Sequence, residues 1–405
     1  MQQTYILDDT VLIIDTRIDE KADYLGDEGY EIVIKNDAIS VTAKTKRGLY
    51  WGSLTLKHMV AEKAELPCGI IRDYPEYSVR GFVLDVARRP IPMDELYRML
   101  YELSDNYMNT FQIHLSDNEI IAMSDYDGTM EGAKALFSAY RLESDVQANE
   151  KTLTTQEFYY TDEEFSKFIA DAKAIGVDVV PEIDTPAHAL AITSIKPELG
   201  YDAAELADTL DISKSEVLDF ATNLWAEYLE EDELFDECDV VHLGMDEFYG
   251  NSSDYVNYMS KLSSNIRGMA PDKTQRVWAS LTYNDANTAP LNRNIEMMIW
   301  NPVWSNPKKT YEDGFKVINC LNKHLYIIVD GGNDRLDVDD LATNWKPNQF
   351  VDDECDETIP AWSPRMLGAC YSMWNDNYCS NEVKDCEDLY ERFHEPLKVI
   401  AGKLW

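Results

Sequence analysis

Eight short strand-like segments, separated by helix-like stretches, constrain this chain more than any other feature. They fall at 79–87, 110–115, 177–183, 240–244, 276–280, 295–300, 316–319 and 366–373. Between them, 93–107 and 161–175 read as helices, and Thr161 followed by Glu164 is a capping-box signature. Strand and helix in alternation predict an α/β protein with a parallel sheet, and eight strands predict closure as a (β/α)8 TIM barrel. A last helix over 381–403 completes the ring.

The first part of the chain follows another rhythm. Apolar positions alternate over 10–18 and 30–34, Asn36-Asp37 marks a turn, 39–44 returns as a strand, and 47–62 is helical. With 67–75 as a link, this predicts a small, shortened α+β domain at 1–76 ahead of a barrel domain at 77–405. Two connections, 118–160 and 331–365, are longer than a barrel requires. Long connections in compact domains tend to carry function.

Charge narrows the partners. Lys and Arg total 36 against 75 for Asp and Glu, a formal charge of -39, which repels nucleic-acid phosphates and anionic membrane surfaces. Neither is an expected partner. The seven cysteines (Cys68, Cys238, Cys320, Cys355, Cys370, Cys379 and Cys386) never fall in a CxxC or other metal-ligand spacing, so free thiols in a reducing compartment are expected and no metal is implied. The start, Met1 to Asp9, lacks the basic lead and apolar core of a secretion signal, which as written gives a cytoplasmic chain. Tyr at 24 and Trp at 9 supply aromatic faces of the kind on which sugar rings stack.

Chemistry collects where the strands end. Read in order, those ends carry Asp85 with Arg88, His114 with Asp117, then Glu182, Asp184 and His188. They continue with His242, Asp246 and Glu247, then Trp278, Trp300, Tyr326, and Trp374 with Asp376. Sites in (β/α)8 barrels form on that face. Side chains alternate along a strand, so the adjacent Asp246 and Glu247 serve one site only where the ladder has run out, and they then meet a ligand from different directions. That geometry suits one proton donor beside one separate anion. The plainer readings are a solvated strand end for the two acids, core packing for any single Trp, a satisfied core residue for His114 or His242, and a structural ion pair for Arg88.

Four stretches, Arg80-Gly81-Phe82-Val83-Leu84-Asp85-Val86-Ala87-Arg88, Asn109 to Asp117, Pro181-Glu182-Ile183-Asp184-Thr185-Pro186-Ala187-His188 and His242-Leu243-Gly244-Met245-Asp246-Glu247, resemble in order and spacing glycoside hydrolase family 20, the β-N-acetylhexosaminidases and lacto-N-biosidases. The likeness covers about 78–380. It implies retaining hydrolysis in which the substrate's 2-acetamido oxygen attacks the anomeric carbon. It further implies Glu247 as acid and then base, Asp246 as the acceptor that orients the acetamido N–H, and Tyr326 as donor to the acetamido oxygen. Arg88 and Asp376 would hold sugar hydroxyls, and Trp278, Trp300 and Trp374 would wall the pocket. Asp117 and His188 would position the acid, with His114, Asp184 and His242 in support. No cofactor is implied, and the expected partner is an oligosaccharide or glycoconjugate ending in β-linked N-acetylhexosamine. The chain departs from the family pattern at Arg89-Pro90, Asn118-Glu119, Ala187 and Met245. Alternatives are release of a disaccharide or of 6-sulfated N-acetylglucosamine, a two-carboxylate glycosidase using Glu182 or Asp184, and a catalytically silent carbohydrate-binding protein.

Overall fold

Eight parallel strands close on themselves in a computed structural model that describes residues 2–7, 10–62, 65–121, 126–148, 150–230, 233–282, 286–377 and 385–405, with side chains from residue 14 onward. The strands are Val79–Asp85, Thr110–His114, Asp178–Thr185, Val240–Gly244, Thr274–Trp278, Glu296–Ile299, Lys316–Asn319 and Met366–Trp374. Each pairs with the next, and the eighth pairs back with the first through Gly368↔Val79 to Met373↔Leu84. The first strand, VRGFVLD, is buried at every position, as expected of a strand covered on both faces. A short extra strand, Tyr326–Ile328, runs parallel to the outer end of the eighth, with Ile328 opposite Trp374. Tyr326 therefore opens a ninth strand and does not end a barrel strand.

The surrounding helices form for local reasons. Met93–Asp105 buries Leu96, Met99, Leu100 and Leu103 on one face and carries Asp94 and Glu95 in its first turn, where the helix dipole favours anions. Asp162–Ala174 starts on the expected capping box: the Thr161 side chain accepts from the Glu164 N–H at 3.2 Å, and the Thr161 N–H donates to Glu164 Oε2 at 3.2 Å. The last helix, Cys386–Leu404, seats Leu389, Phe393, Leu397, Ile400 and Leu404 against the barrel. Its expected start at Asn381, like Cys379, lies outside the described residues. The six described cysteines are free.

The N-terminal unit is a five-stranded sheet backed by helix Lys46–Glu62. Tyr30–Ile34 and Ala38–Ala43 form the expected hairpin, with Ile34 opposite Ile39, and Thr10–Ile18 runs parallel to the second of these. The segment 67–75, read as a link, is instead an edge strand, Gly69–Asp73, antiparallel to Tyr30–Ile34. It lies largely exposed, with Ile70 at 62%, so no alternation of apolar residues marked it. Glu28 ties this unit to the barrel, accepting from Arg80 at 2.6 Å, Trp51 Nε1 at 2.9 Å and Asn109 Nδ2 at 2.9 Å. Arg47 pairs with Asp178 alongside.

The long connections are organised. The first holds the hairpin Ser116–Asn118 with Ser138–Tyr140 and a short helix, Met130–Lys134. The second holds helix Val338–Thr343 and the hairpin Gln349–Val351 with Asp356–Thr358. Among the described residues, no helix is long and apolar enough to cross a membrane.

Candidate active site

The fourth strand leaves the sheet through a turn that only particular residues allow. Gly244 has φ +74, and a Cβ there would lie 1.7 Å from Asp184 Oδ1. Met245 and Glu247 follow at φ 88 and φ 47. Three contacts hold this left-handed backbone: the Met245 N–H donates to the Thr185 carbonyl at 3.0 Å and to Asp184 Oδ1 at 3.2 Å, and Tyr255 Oη donates to the Met245 carbonyl at 2.8 Å. Strand alternation is broken at this point. Asp246 and Glu247 therefore both reach the same cavity, of about 310 Å³.

Beneath them lies a continuous polar network. Glu182 is fully buried; it accepts from Trp278 Nε1 at 2.5 Å and Gln112 Nε2 at 2.7 Å, and its Oε1 sits 3.1 Å from His114 Nδ1 and 3.2 Å from His242 Nδ1. His114 Nε2 meets Asp117 Oδ2 at 2.7 Å. Asp117 Oδ1 meets His188 Nδ1 at 2.9 Å, and His188 Nε2 faces Glu247 Oε2 at 3.2 Å. Arg88 joins from the first strand, with Asp117 at 2.8 Å, Asp85 at 3.1 Å, Asp376 at 3.3 Å and the Asn118 carbonyl at 2.8 Å. Such density of buried charge is tolerated only because each charge has an opposite partner.

The aromatic wall has two layers. Trp300, Tyr326 and Trp374 line the cavity with Arg88, His114, Asp117, His188 and Asp376. Trp278, expected in the wall, lies below it at 1% exposure, its ring 5.7 Å from that of Trp374 and 5.1 Å from that of His242. Its indole N–H is already given to Glu182. His242, Asp184 and Glu182 likewise sit beneath the cavity floor and are not among its lining residues.

Protonation follows from these contacts. Burial opposes charge on His114 and His188, yet Glu182 and Asp117 hold the first well above the ordinary histidine range, and Asp117, with Glu247 and Asp246, does the same for the second. Burial likewise opposes the Asp117 carboxylate, but Arg88 and His188 hold it well below the usual range. Burial and the adjacent Asp246 push Asp184 well up. Burial also raises Asp246, moderated by His188 and by a hydrogen bond from Asp184. Both carboxyls of the pair are thus pushed up, Asp184 the further of the two. For Glu247 burial acts upward, but the contact with His188 outweighs it and draws the carboxyl down.

Every residue singled out from the sequence falls in this cluster, in the wall or in the floor. Sequence reading missed Ile120 and Asn333 in connecting segments, Asn322 and Lys323 on the short helix Asn322–Leu325, and Ile328 at the end of the extra strand, all on the cavity rim. It also missed Gln112, for which a lone amide between Phe111 and Ile113 in a buried strand was the available signal. Among the described residues, His114, Glu182 and Asp184, and also Asp184, His188 and Asp246, bring ligand-type atoms within 4.8 Å of one another. Linear spacing hides such convergence because the members come from different strands. A larger cavity, about 700 Å³, lies between Glu143, Asp162, Glu227 and Glu233, and no His, Arg or Trp lines it.

The catalytic-domain pattern of glycosyl hydrolase family 20 matches residues 77–394, and that family's domain 2 matches 8–74. The lacto-N-biosidase of Bifidobacterium bifidum is 25% identical over 94% of this chain and 33% of its own length. A β-hexosaminidase of Akkermansia muciniphila is 26% identical over 60% of this chain and 50% of its own. This chain thus spans between a third and a half of those relatives. In fold it is similar to the β-N-acetylhexosaminidase of Bacteroides fragilis, with TM-score 0.73 and 20% identity over 97% of this chain and 79% of that one. The Streptomyces coelicolor family 20 β-N-acetylhexosaminidase gives 0.71 at 20% identity over 97% and 79%. A closed barrel with a carboxylate pair at the end of its fourth strand, and a family match covering most of the chain, lead to one assignment: the chain belongs to glycosyl hydrolase family 20.

Proposed function

We propose that this chain is a retaining exo-β-N-acetylhexosaminidase that releases terminal β-linked N-acetylhexosamine from an oligosaccharide or glycoconjugate, with the substrate's own 2-acetamido oxygen as nucleophile. The observation that carries this reading is the unequal standing of two adjacent carboxylates in one cavity. Asp246 is recessed, 16% exposed and backed by Asp184, whose carboxyl is pushed well up by burial and by Asp246 itself, whereas Glu247 stands forward, 38% exposed, against His188.

With the proton on Asp184, Asp246 is the anion that accepts the acetamido N–H, turns the acetamido oxygen toward C1 and offsets the positive charge of the oxazolinium intermediate. Tyr326, kept protonated by burial, donates to that oxygen. As the C1–oxygen bond forms, the glycosidic bond breaks and its electron pair leaves with the aglycone oxygen, which takes the Glu247 proton. Glu247, now a carboxylate, accepts a proton from the water that attacks C1, and the acetamido group is restored with net retention. His188 draws the free Glu247 carboxyl down. A bound sugar strips water from its exposed edge and pushes it back up, toward a carboxyl that can donate. Arg88 and Asp376 address the ring hydroxyls, and Trp300 and Trp374 its apolar faces.

Glu182 already accepts from Trp278 and Gln112, has the His114 and His242 rings within 3.2 Å and does not line the cavity, which weighs against a scheme with Glu182 as nucleophile. Release of a disaccharide is the second reading, favoured by the lacto-N-biosidase likeness along 94% of the chain. The test is a panel of chromogenic β-glycosides varied at carbons 2, 4 and 6, with a lacto-N-bioside, run on the native chain and on Glu247→Gln. Turnover confined to acetamido sugars, inhibition by a thiazoline mimic and a loss of about 10²–10⁴-fold in Glu247→Gln are expected. Comparable hydrolysis of plain glucosides, or an adduct joining a protein side chain to C1, would overturn the mechanism. Binding of N-acetylglucosamine without aglycone release would leave the silent carbohydrate-binding alternative.

A further inference from the structure

We infer that the end of the barrel opposite Asp246 and Glu247 carries a binding site for hydrogen phosphate, with Arg267, Lys273 and Lys316 as its cations and the side-chain oxygen of Gln275 as acceptor for the ligand's own O–H. Parallel strands set the position. Thr274 and Lys316 open the fifth and seventh strands, and register puts Arg276 opposite Glu296 and Glu296 opposite Lys316. The starts of three strands thus lie side by side, and a cavity of about 340 Å³ opens there against the end of helix Ser252–Met269. The chain as a whole has 75 acids to 36 bases. Among the described residues lining this cavity the balance is inverted, with three bases to one acid, Asp272.

Each cation has capacity to spare. Arg267 sits in the last helical turn, where the dipole favours a positive charge, yet its guanidinium has no ion-pair or hydrogen-bond partner among the described residues. Lys273 gives two of its three N–H bonds to the carbonyls of Asp236 and Cys238, at 2.7 and 2.9 Å, and one is left. Lys316 lies 3.7 Å from Glu296 Oε1, but Arg276 already holds the other oxygen of that carboxylate at 2.7 Å. One acid shared between two bases leaves a positive surplus. The outer charge that repels anions is screened beyond a Debye length, whereas these cations act at contact.

Gln275 decides which anion fits. It lines the cavity at 6% exposure, and its Nε2 donates to the Ser263 carbonyl at 3.0 Å, which fixes which way the amide points. Its Oε1 is buried and has no hydrogen-bond partner among the described residues. A buried acceptor left unmet is destabilising, so the fitting ligand brings a donor as well as negative charge. Hydrogen phosphate has both. Sulfate, with the same charge and shape, has no O–H and would set a bare oxygen against Oε1.

The experiment is calorimetry of the full chain with inorganic phosphate and with sulfate, at matched ionic strength and at a mildly alkaline pH where both anions carry two charges. Phosphate is expected to bind about tenfold more tightly than sulfate, the worth of one hydrogen bond at a buried acceptor. Arg267→Gln and Lys316→Gln each weaken phosphate binding by about tenfold, with thermal unfolding in phosphate-free buffer unchanged. Gln275→Met keeps the volume, removes the acceptor and brings sulfate level with phosphate. If that variant fails to fold, the native preference and the two charge variants still decide. An absence of phosphate binding, sulfate bound as tightly as phosphate by the native chain, or phosphate affinity indifferent to both charge variants would overturn the site.

Discussion

Replacing Asp117 with Asn removes one negative charge from the point where Arg88, His114 and His188 converge at 2.8, 2.7 and 2.9 Å. Both histidines have raised folded pKa values. Their stabilisation is complete below the unfolded histidine pKa of about 6.5 and is lost as pH rises through the folded values. In that window the two native histidines hold protons that their unfolded counterparts have released, and their own contribution to unfolding free energy falls by about 2.7 kcal/mol per pH unit. After burial, the largest influence on His188 is Asp117, whereas for His114 it is Glu182. Asp117→Asn therefore frees His188 and leaves His114 held, and the slope becomes shallower by about 1.4 kcal/mol per unit, one histidine's share. The Asp117 carboxylate itself is depressed, so its contribution is present above the unfolded value of about 3.9 and lost as pH falls through the folded one. Between about pH 5 and 6 every member of the network is charged, and the substitution costs most there, about 3–5 kcal/mol, as when one partner of a buried pair is removed. Urea unfolding of both proteins at pH 5.5, 6.5, 7.5 and 8.5 measures cost and slope together. An identical slope in the two proteins, or a cost below about 1 kcal/mol at pH 5.5, would refute the electrostatic account.

Gly244→Ala places a methyl 1.7 Å from Asp184 Oδ1 at a backbone angle of +74; strain and overpacking together predict a loss of about 2–4 kcal/mol in urea unfolding, with turnover reduced at least about tenfold as Asp184 is pushed off Asp246. Glu28→Gln leaves the buried Arg80 guanidinium facing a neutral amide, and a loss of about 3 kcal/mol is expected in the same assay, with KM little changed because the join lies at the opposite end of the strand from Arg88.

The barrel was legible because its strands are buried on both faces and announce themselves as apolar runs. The strand-end chemistry was legible because polar residues at those ends have few other reasons to be there. Three kinds of feature escaped. Gly69–Asp73 joins its sheet through backbone hydrogen bonds while most of its side chains face water, so side-chain pattern carries no trace of it. The division between wall and floor escaped as well. Trp278 and Trp374 both sit at strand ends, and only the pairing of the Trp278 N–H with Glu182 shows which is beneath. Tyr326 was placed among the strand ends, yet it begins a short strand of its own, stitched to Ser372 by register that no local signal encodes. Asn322 and Lys323 come to the rim on the one-turn helix Asn322–Leu325, and Asn333 on a turn, and the path of both depends on tertiary packing.

Arg88 meets any visitor with its cation already answered by Asp85, Asp117 and Asp376, whose side chains are 0%, 2% and 18% exposed. Dissolved ions screen the outer charge of -39 over a Debye length of about 10 Å at 0.1 M, but they have little access to this enclosed quartet. Ionic strength is therefore expected to govern how the molecule behaves toward other charged surfaces, while the proposed hold on an uncharged ring stays nearly the same in brine as in fresh water.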